Sequence, residues 1–175
     1  MSEVYDWYSV VASDDFLSQG DFLQNMPVII PPNNIEHKKQ VEAYVQKYDV
    51  IIMSQFCDIQ NEKLDFVMLC PFWPLSEIEK ENDFFKSDKG KESLRRGYLP
   101  GYHLLNKCEI ENFKTEYLVV DFKNVYSVSY AFLKEFSKNQ GNRLRLLPPY
   151  REHLSQAFAR FFMRVGLSVD IPQFR

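Results

Sequence analysis

The sequence predicts an α+β fold, mainly β, in one domain that spans residues 1–175. Two observations favour sheet: the chain contains 15 Phe and 10 Tyr against only 6 Gly, and prolines and polar turns separate its β-rich runs. Aromatic and β-branched residues are enriched in strands. A third observation, helical spacing of apolar residues near the C-terminal end, predicts a helix there. With 175 residues, the chain is long enough to bury a core without disulfides.

The clearest pair of strands is predicted around the polar stretch DIQNEK. Two β-rich runs, residues 50–54 and 65–72, flank this stretch, and such runs on either side of turn-forming residues are typical of an antiparallel hairpin. We therefore expect Cys57 and Asp58 to lie in an ordinary turn. A later β-rich run, residues 117–128, predicts two strands that are interrupted in the middle.

Helices are predicted in three segments. Residues 35–47 mix apolar and charged side chains without Gly or Pro, which favours a short helix. Residues 75–107 are interpreted as a partly helical insertion, because they begin with a charged and irregularly apolar stretch. Residues 148–166 have the strongest helical pattern, since Pro149 suits a helix start and Gly166 a helix stop.

The helix predicted at residues 148–166 has two different faces. The apolar face, which is expected to pack on the core, contains Leu154, Phe158, Phe161, Phe162 and Val165. The polar and cationic face contains His153, Gln156, Arg160 and Arg164.

The two ends of the chain carry opposite charge. Residues 1–22 contain acids and no Lys or Arg, whereas residues 143–175 are rich in arginine. In a strand, Arg143 and Arg145 would point to one face. Three interpretations stay open for these arginines: a surface for the phosphates of a nucleic acid, an anchor for a protein partner, or ion pairs with the acidic N-terminal residues. The six candidate binding residues are Arg143, Arg145, His153, Gln156, Arg160 and Arg164.

Three short motifs occur in an order that resembles a known family. They are Gly20–Asp21 in QGDFL, a hydrophobic strand that ends in Ser in YDVIIMS, and a strand that runs into Cys-Pro in FVMLCPF. In this order they resemble the MazF/PemK family of small toxin barrels, whose active members cleave RNA. The segment PYREHLSQAFARFFMRVGL is also similar to a segment of bacterial proteins of unassigned function.

The resemblance to the MazF/PemK family covers about residues 18–165 and implies a fold. That fold is a small SH3-like barrel over about residues 18–147, with the helical insertion at about residues 75–107 and the C-terminal helix at residues 148–166. A divergent MazF-like endoribonuclease is the activity that the resemblance implies.

Two departures from the family pattern bear on that activity. Active members carry a basic residue shortly before the strand that ends in Ser, and a Thr or Ser soon after Cys-Pro. Here the positions hold Lys47, a single point charge instead of a forked guanidinium, and Trp73, which has no hydroxyl. We therefore favour a non-catalytic binding module of a bacterial or phage multi-component system of the defence or toxin type. It would contact nucleic acid or a protein subunit of the same system, and a homodimer is compatible with this role.

A ribonuclease remains one enzymatic alternative. In that interpretation, Lys47, Arg95 or Arg96 would supply the cations that stabilise the transition state. Ser54 or Asp58 would lie near the scissile phosphate. Catalysis of this kind depends on fixed charges around the phosphate.

A thiol enzyme is the other enzymatic alternative. Cys57 would be the nucleophile, His103 the base and Asp58 the group that orients the base. A thiol becomes a good nucleophile only where a base or a positive charge favours the thiolate. The competing interpretation is a strand end at which Cys57 packs as a small apolar residue.

The sequence favours a cytoplasmic protein without metal or cofactor. The N-terminal residues do not resemble a secretory signal, and no apolar stretch has the length of a membrane span. Cys57, Cys70 and Cys108 lack the paired spacing of a disulfide framework or a zinc site. The histidines are widely separated in sequence, so no metal ligand set is predicted.

Overall fold

The apolar runs of the sequence form the central strands of an α+β fold with antiparallel sheets. A computed structural model describes residues 5–34 and 42–163. The strands in this part of the chain are β1 (Tyr8–Val11), β2 (Phe22–Ile30), β3 (Tyr44–Ile52), β4 (Phe66–Pro74), β5 (Tyr102–Leu105), β6 (Leu118–Asp121), β7 (Tyr126–Ser129) and β8 (Arg143–Leu146). The helices there are α1 (Phe56–Gln60), α2 (Leu75–Glu81), α3 (Asp83–Lys86), α4 (Asp88–Arg95), α5 (Tyr130–Gln140) and α6 (Tyr150–Phe162).

The larger sheet has the strand order β2-β3-β4-β6-β5, with β7 also beside β4. The predicted pairing of β3 with β4 is confirmed, since Ile51 lies opposite Cys70 in an antiparallel register. One side of β4 pairs first with β7 and then with β6. β6 and β7 are therefore two neighbouring strands with a break between them, as the sequence predicts for residues 117–128. The expected simple turn between β3 and β4 is wrong, because α1 occupies this connection and contains Cys57 and Asp58.

The sheet is buried on both faces. Alternate residues of β3 and β4 enter two different apolar clusters: Ile51 and Cys70 belong to one, and Ile52 and Leu69 to the other. Helix α6 packs on the first cluster through Leu154, Phe158 and Phe161, and α5 contributes Leu133 to the second. This two-sided burial explains why the strands appear in the sequence as continuous apolar runs instead of alternating ones.

Helices α2 to α4 lie within the segment that was predicted as an insertion. Phe85 and Leu94 pack on Val119 of β6, so these helices cover part of the sheet. Gly90 of α4 lies against the backbone of Phe84, where an added Cβ atom would come within 1.9 Å of the carbonyl oxygen. Only glycine permits this close approach.

Two predictions of secondary and tertiary structure need correction. The helix predicted at residues 35–47 is wrong for Tyr44–Lys47, which belongs to β3; residues 35–41 lie outside the described part. Tyr44 and Val45 pair across the sheet with Ile30 and Ile29, and this non-local pairing overrides the local helical pattern. The described strands do not close into a barrel, because the edge strands of the larger sheet, β2 and β5, do not pair with each other, and β1 and β8 form a separate two-stranded sheet. In the described residues, no helix is long and apolar enough to cross a membrane.

A buried ion cluster joins the segment before β2 to strand β8. The Asp21 carboxylate is fully buried. It accepts a hydrogen bond from Arg143 Nε at 2.7 Å and from the Nη2 of Arg145 at 3.0 Å, with a further short contact to Arg145 Nε. The backbone N–H of Ser18 donates to the same carboxylate at 3.1 Å. One carboxylate therefore holds two arginines.

The remaining donors of Arg143 hold the N-terminal loop. Its two terminal nitrogens donate to the carbonyl oxygens of Ala12 at 3.0 Å, Asp15 at 3.0 Å and Phe16 at 2.8 Å. The Arg143 side chain is fully buried, and that of Arg145 is 13% exposed. The two arginines do share one face of β8, but that face is internal. The prediction that Arg143 and Arg145 belong to a binding surface is therefore wrong. Both form ion pairs with Asp21, which is one of the three interpretations given above for these arginines.

Gly20 and Asp21 also connect β3 to β8 through the backbone. The Gly20 N–H donates to the carbonyl of Ile52, and its carbonyl accepts from the N–H of Leu146, both at 2.9 Å. Gly20 has a φ of 86°, a left-handed conformation that glycine adopts without strain. The Gly-Asp motif is therefore a structural link between two sheets.

The first prediction concerns the buried carboxylate. In Asp21→Asn the side chain keeps its shape, but Arg143 remains buried without a counter-charge. We expect the free energy of unfolding to fall by about 3 to 5 kcal/mol, measured by urea denaturation. Asp14→Asn is the matched control, because Asp14 is exposed and its change should stay within about 0.5 kcal/mol. Equal effects of the two substitutions would contradict a central role for the cluster.

Candidate anion-binding cleft

A cleft between the end of α4, strand β5 and helix α6 gathers cationic and imidazole side chains. Its volume is about 690 Å³. The charged or titratable basic residues that line it are Arg95, Arg96, His103, His153 and Arg160. Among the described residues that line the cleft there is no Asp or Glu. The cleft therefore favours an anionic ligand.

Helix α6 supplies one wall of the cleft. Its apolar face is held on the core by Leu154 and Phe158, so its opposite face projects outward. His153 and Arg160 are exposed on that face, and Arg160 Nε donates to the carbonyl of Gln156 at 3.3 Å. The predicted exposed face of the helix is thus present over residues 153–160.

Gln156 of that predicted face does not line the cleft. Gln156 is exposed on α6 and contributes a backbone carbonyl rather than its amide. Arg164 lies outside the described residues.

The end of α4 supplies the opposite wall. Glu92 accepts from Arg95 Nε and Nη2, both at 2.7 Å, and also from Arg96. The hydrogen bond from Arg95, followed by that from Arg96, lowers the pKa of Glu92 to about 2. Glu92 therefore stays ionised at neutral pH and orients two guanidinium groups, which leaves this wall with a net positive charge.

His103 of β5 lies on the inner side of the cleft. Its ring stacks on that of Phe122, with 6.2 Å between the ring centroids and 20° between the planes. Burial is the main cause that lowers the pKa of His103 to about 4, with smaller contributions from His153 and Arg160. The ring is therefore neutral at pH 7, and one nitrogen can donate a hydrogen bond while the other accepts.

The residues proposed for the thiol enzyme do not meet in this cleft. Cys57 is exposed on α1, with its sulfur 3.9 Å from Gln55 Oε1. Neither Cys57 nor Asp58 lines the cleft that contains His103. The backbone of Asp58 is engaged by Gln55 and Lys63 in the local turn. The predicted triad of Cys57, His103 and Asp58 is therefore wrong, because these three residues do not line one site.

The residues proposed for the ribonuclease are also dispersed. Ser54 is buried, and its hydroxyl oxygen accepts from the N–H of Met68 at 2.8 Å, so it fixes the end of β3. Lys47 is exposed on β3 opposite Pro27. Only the arginines of that set, Arg95 and Arg96, line the cleft.

The cleft could be anticipated only in part from the sequence. The helical spacing of α6 correctly grouped His153 with Arg160, because both lie on one element. Nothing local indicated that Arg95, Arg96 and His103 would face that helix, since three separate elements form the cleft. Among the described residues, no group of three or more His, Cys, Asp and Glu is placed to hold a metal ion.

Comparison of the chain with protein-family models and with curated protein sequences finds no match.

The second prediction follows from the low pKa of His103. Between about pH 4 and 6.5 the unfolded chain binds a proton at this residue that the folded protein does not, so stability should fall as the pH is lowered through that range. The expected slope approaches about 1.4 kcal/mol per pH unit, measured by urea denaturation at several pH values. The variant His103→Gln should lose this part of the slope, whereas His153→Gln, at an exposed position, should retain it. An unchanged slope in His103→Gln would contradict the assignment.

Proposed function

We propose that the protein is a non-catalytic binding module that holds the phosphate backbone of a nucleic acid in the cleft. The observation that carries this proposal is the convergence of Arg95, Arg96 and Arg160 with two histidines in one cleft without lining carboxylates. Glu92 and the Gln156 carbonyl accept from the Nε atoms of these arginines, and the terminal guanidinium nitrogens can donate to phosphate oxygens. Imidazole N–H groups add donors to the same ligand.

The shape of the cleft favours an extended ligand over a small one. Its two charged walls come from α4 and α6, so successive phosphates can contact opposite walls. Tyr102 and Pro100 also line the cleft, but Lys123 and Phe85 pack on the Tyr102 ring, so the two charged walls and not base stacking support this preference. These features favour single-stranded RNA or DNA over a free phosphate ion.

For the fold, we propose an opened SH3-like barrel of the MazF/PemK type. The order β2-β3-β4-β7, followed by α5, supports this assignment. Gly20–Asp21 precedes β2, Ser54 follows β3, and Cys70–Pro71 lies in β4. In this chain these motif residues are structural: burial raises the pKa of the Cys70 thiol to about 12, which disfavours a nucleophilic role.

The biological setting follows from the same resemblance. We propose a cytoplasmic component of a bacterial or phage multi-component system of the defence or toxin type. Nucleic acid is the partner that the cleft supports best. A protein subunit with an acidic surface would use the same guanidinium groups, so the binding experiment must separate the two.

The third prediction tests the nucleic-acid proposal. The double variant His153→Ala, Arg160→Ala should bind a short fluorescent single-stranded RNA about tenfold more weakly than the wild type at low salt. The slope of log affinity against log salt should become shallower by about 0.7 for each phosphate that the variant no longer neutralises. Fluorescence anisotropy across a salt series measures both quantities. The melting temperature should change little, because both side chains are exposed.

Lys63→Ala is the matched control for this experiment. Lys63 is exposed and does not line the cleft, so its removal should leave affinity and salt slope nearly unchanged. Equal losses of affinity in the control and the double variant would indicate diffuse charge attraction instead of a site. Absence of RNA and DNA binding in the wild type would refute the nucleic-acid proposal and leave an acidic protein partner.

A divergent ribonuclease is the second candidate, and one specific observation favours it. Two histidines, His103 and His153, line the same cleft as Arg160. An imidazole that is neutral at pH 7 can accept a proton from a ribose hydroxyl, and arginine can stabilise the charge that develops on the phosphate. In this interpretation, His103, His153 and Arg160 are the candidate catalytic residues. They take the place of the set with Lys47, Ser54 and Asp58.

The fourth prediction separates the two candidates. For a binding module, purified protein incubated with mixed RNA and a metal chelator should leave the RNA intact. For a ribonuclease in this cleft, cleavage should occur, should be lost in His103→Gln, and should survive in Lys47→Ala. The cleavage rate should also rise as the pH increases through about 4, where His103 loses its proton. Cleavage that depends on Lys47 instead would refute the role of the cleft.

A further inference from the structure

A second cavity, of about 340 Å³, lies between helices α2 and α3 on one side and the ends of strands β4, β5 and β6 on the other. We call it the acidic pocket, because its charged lining residues are Glu77, Glu81 and Asp121. Among the described residues that line it there is no Lys, Arg or His. Small-molecule sites usually have volumes of roughly 300 to 1,000 Å³. The acidic pocket therefore has the size for a small ligand and the charge opposite to that of the cleft.

Asp121 is a buried carboxylate that forms no ion pair within the described part of the chain. The residue is only 7% exposed. Its two oxygens accept from the backbone N–H of Lys123 at 2.9 Å and from the Asn124 amide at 2.8 Å, and both donors are neutral. Buried charges are usually paired with an opposite charge, as Asp21 is with Arg143. The charge of Asp121 therefore favours a cation in the pocket that this residue lines.

Aromatic rings supply the apolar walls of the acidic pocket. They belong to Trp73, Phe85 and Tyr102. Trp73 is half-buried, and no Lys or Arg of the described residues lies over its ring. Among the aromatic side chains, tryptophan attracts a cation to its face most strongly. Trp73 stands where the family pattern has a hydroxyl, and in the pocket its indole offers a contact for a cation instead.

The ammonium group of Lys123 already makes the kind of contact that the acidic pocket offers. It lies 4.2 Å from the centre of the Tyr102 ring and donates to the Tyr102 hydroxyl. Lys123 does not line the pocket, and its single charge does not balance the three carboxylates. The pocket therefore keeps a negative charge and leaves room for a second cation.

We propose that the acidic pocket binds a small organic ligand that carries a primary ammonium group beside an apolar portion. Asp121 accepts a hydrogen bond from the ammonium, which has three N–H donors. The exposed Glu77 and Glu81 add negative charge, and the apolar portion packs on the Trp73 ring. Among the described residues, the three carboxylates form no cluster that is placed to hold a metal ion. The pocket is separate from the cationic cleft, although Tyr102 lines both cavities.

The fifth prediction uses phenethylamine, which is protonated at neutral pH, as the probe. Titration of the full-length protein should shift the indole N–H signal of Trp73 in the NMR spectrum in a saturable way. The signal of Trp7, which stacks on Tyr150 outside the pocket, should not move. Phenylethanol has a similar apolar part without the charge and should bind about tenfold more weakly or less, because it leaves Asp121 without a counter-charge. Phenylacetate, an anion, should give no saturable shift.

Substitutions of the carboxylates give an independent measurement. Asp121→Asn should weaken phenethylamine binding about tenfold or more. The double variant Glu77→Gln, Glu81→Gln changes only exposed side chains, so it should fold normally even if Asp121→Asn does not, and it should weaken binding about threefold to tenfold. Glu79→Gln is the matched control on the same helix. Glu79 pairs with Lys91 at 2.9 Å and does not line the pocket, so its substitution should leave the affinity unchanged.

Other results would overturn the proposal. If phenethylamine leaves the Trp73 signal unchanged, the pocket does not bind this class of ligand. If phenylethanol binds as tightly as phenethylamine, the pocket recognises the apolar portion alone. If Glu79→Gln weakens binding as much as the double variant, the attraction is diffuse and not a property of the pocket. None of these results bears on the cationic cleft, because Glu77, Glu81 and Asp121 do not line it.

Discussion

The buried carboxylate of Asp21 is the constraint on which the arrangement of the sheets depends. It forms ion pairs with two arginines of β8 and accepts a hydrogen bond from the N–H of Ser18, while Arg143 donates to three carbonyls of the N-terminal loop. A carboxylate and a guanidinium cannot be buried separately without a large desolvation cost. The chain therefore has to bring residues 12–21 and β8 together in one geometry. This contact positions β1, β8 and the start of β2, and α6 follows directly from β8.

Local patterns in the sequence predicted local structure well. The β-rich runs correspond to β3, β4, β6 and β7, and the described part of the amphipathic segment at residues 148–166 forms α6, Tyr150–Phe162. The prediction failed where distant contacts decide the outcome. Tyr44–Lys47 became strand because β2 pairs with it, and α1 formed within a stretch that looked like a turn. The alternation of Arg143 and Arg145 correctly predicted that both side chains share one face of β8. Periodicity does not indicate whether that face is exposed to solvent or buried against Asp21.

The candidate site was predictable to a smaller extent than the fold. Its α6 wall could be derived from helical spacing alone, because His153 and Arg160 belong to one helix. The opposite wall required knowledge that α4 and β5 approach α6. The overall charge offered no guidance either, since the protein has a net charge of −3 and the cleft is positive. The acids in the described part of the chain lie outside the lining of the cleft, and Glu92 shows how one carboxylate can organise two cations without entering the cleft.

Helix α6 connects the hydrophobic core to the cationic cleft. One face of it supplies His153 and Arg160 to the cleft, and the other packs on the core through Leu154. Because α6 follows β8 closely in the chain, the position of this cationic wall depends on the contact between β8 and the buried carboxylate of Asp21. None of the three residues of the ion cluster lines the cleft. Loss of the cluster should therefore disturb the cleft only through the position of α6, and not through a direct contact with the ligand.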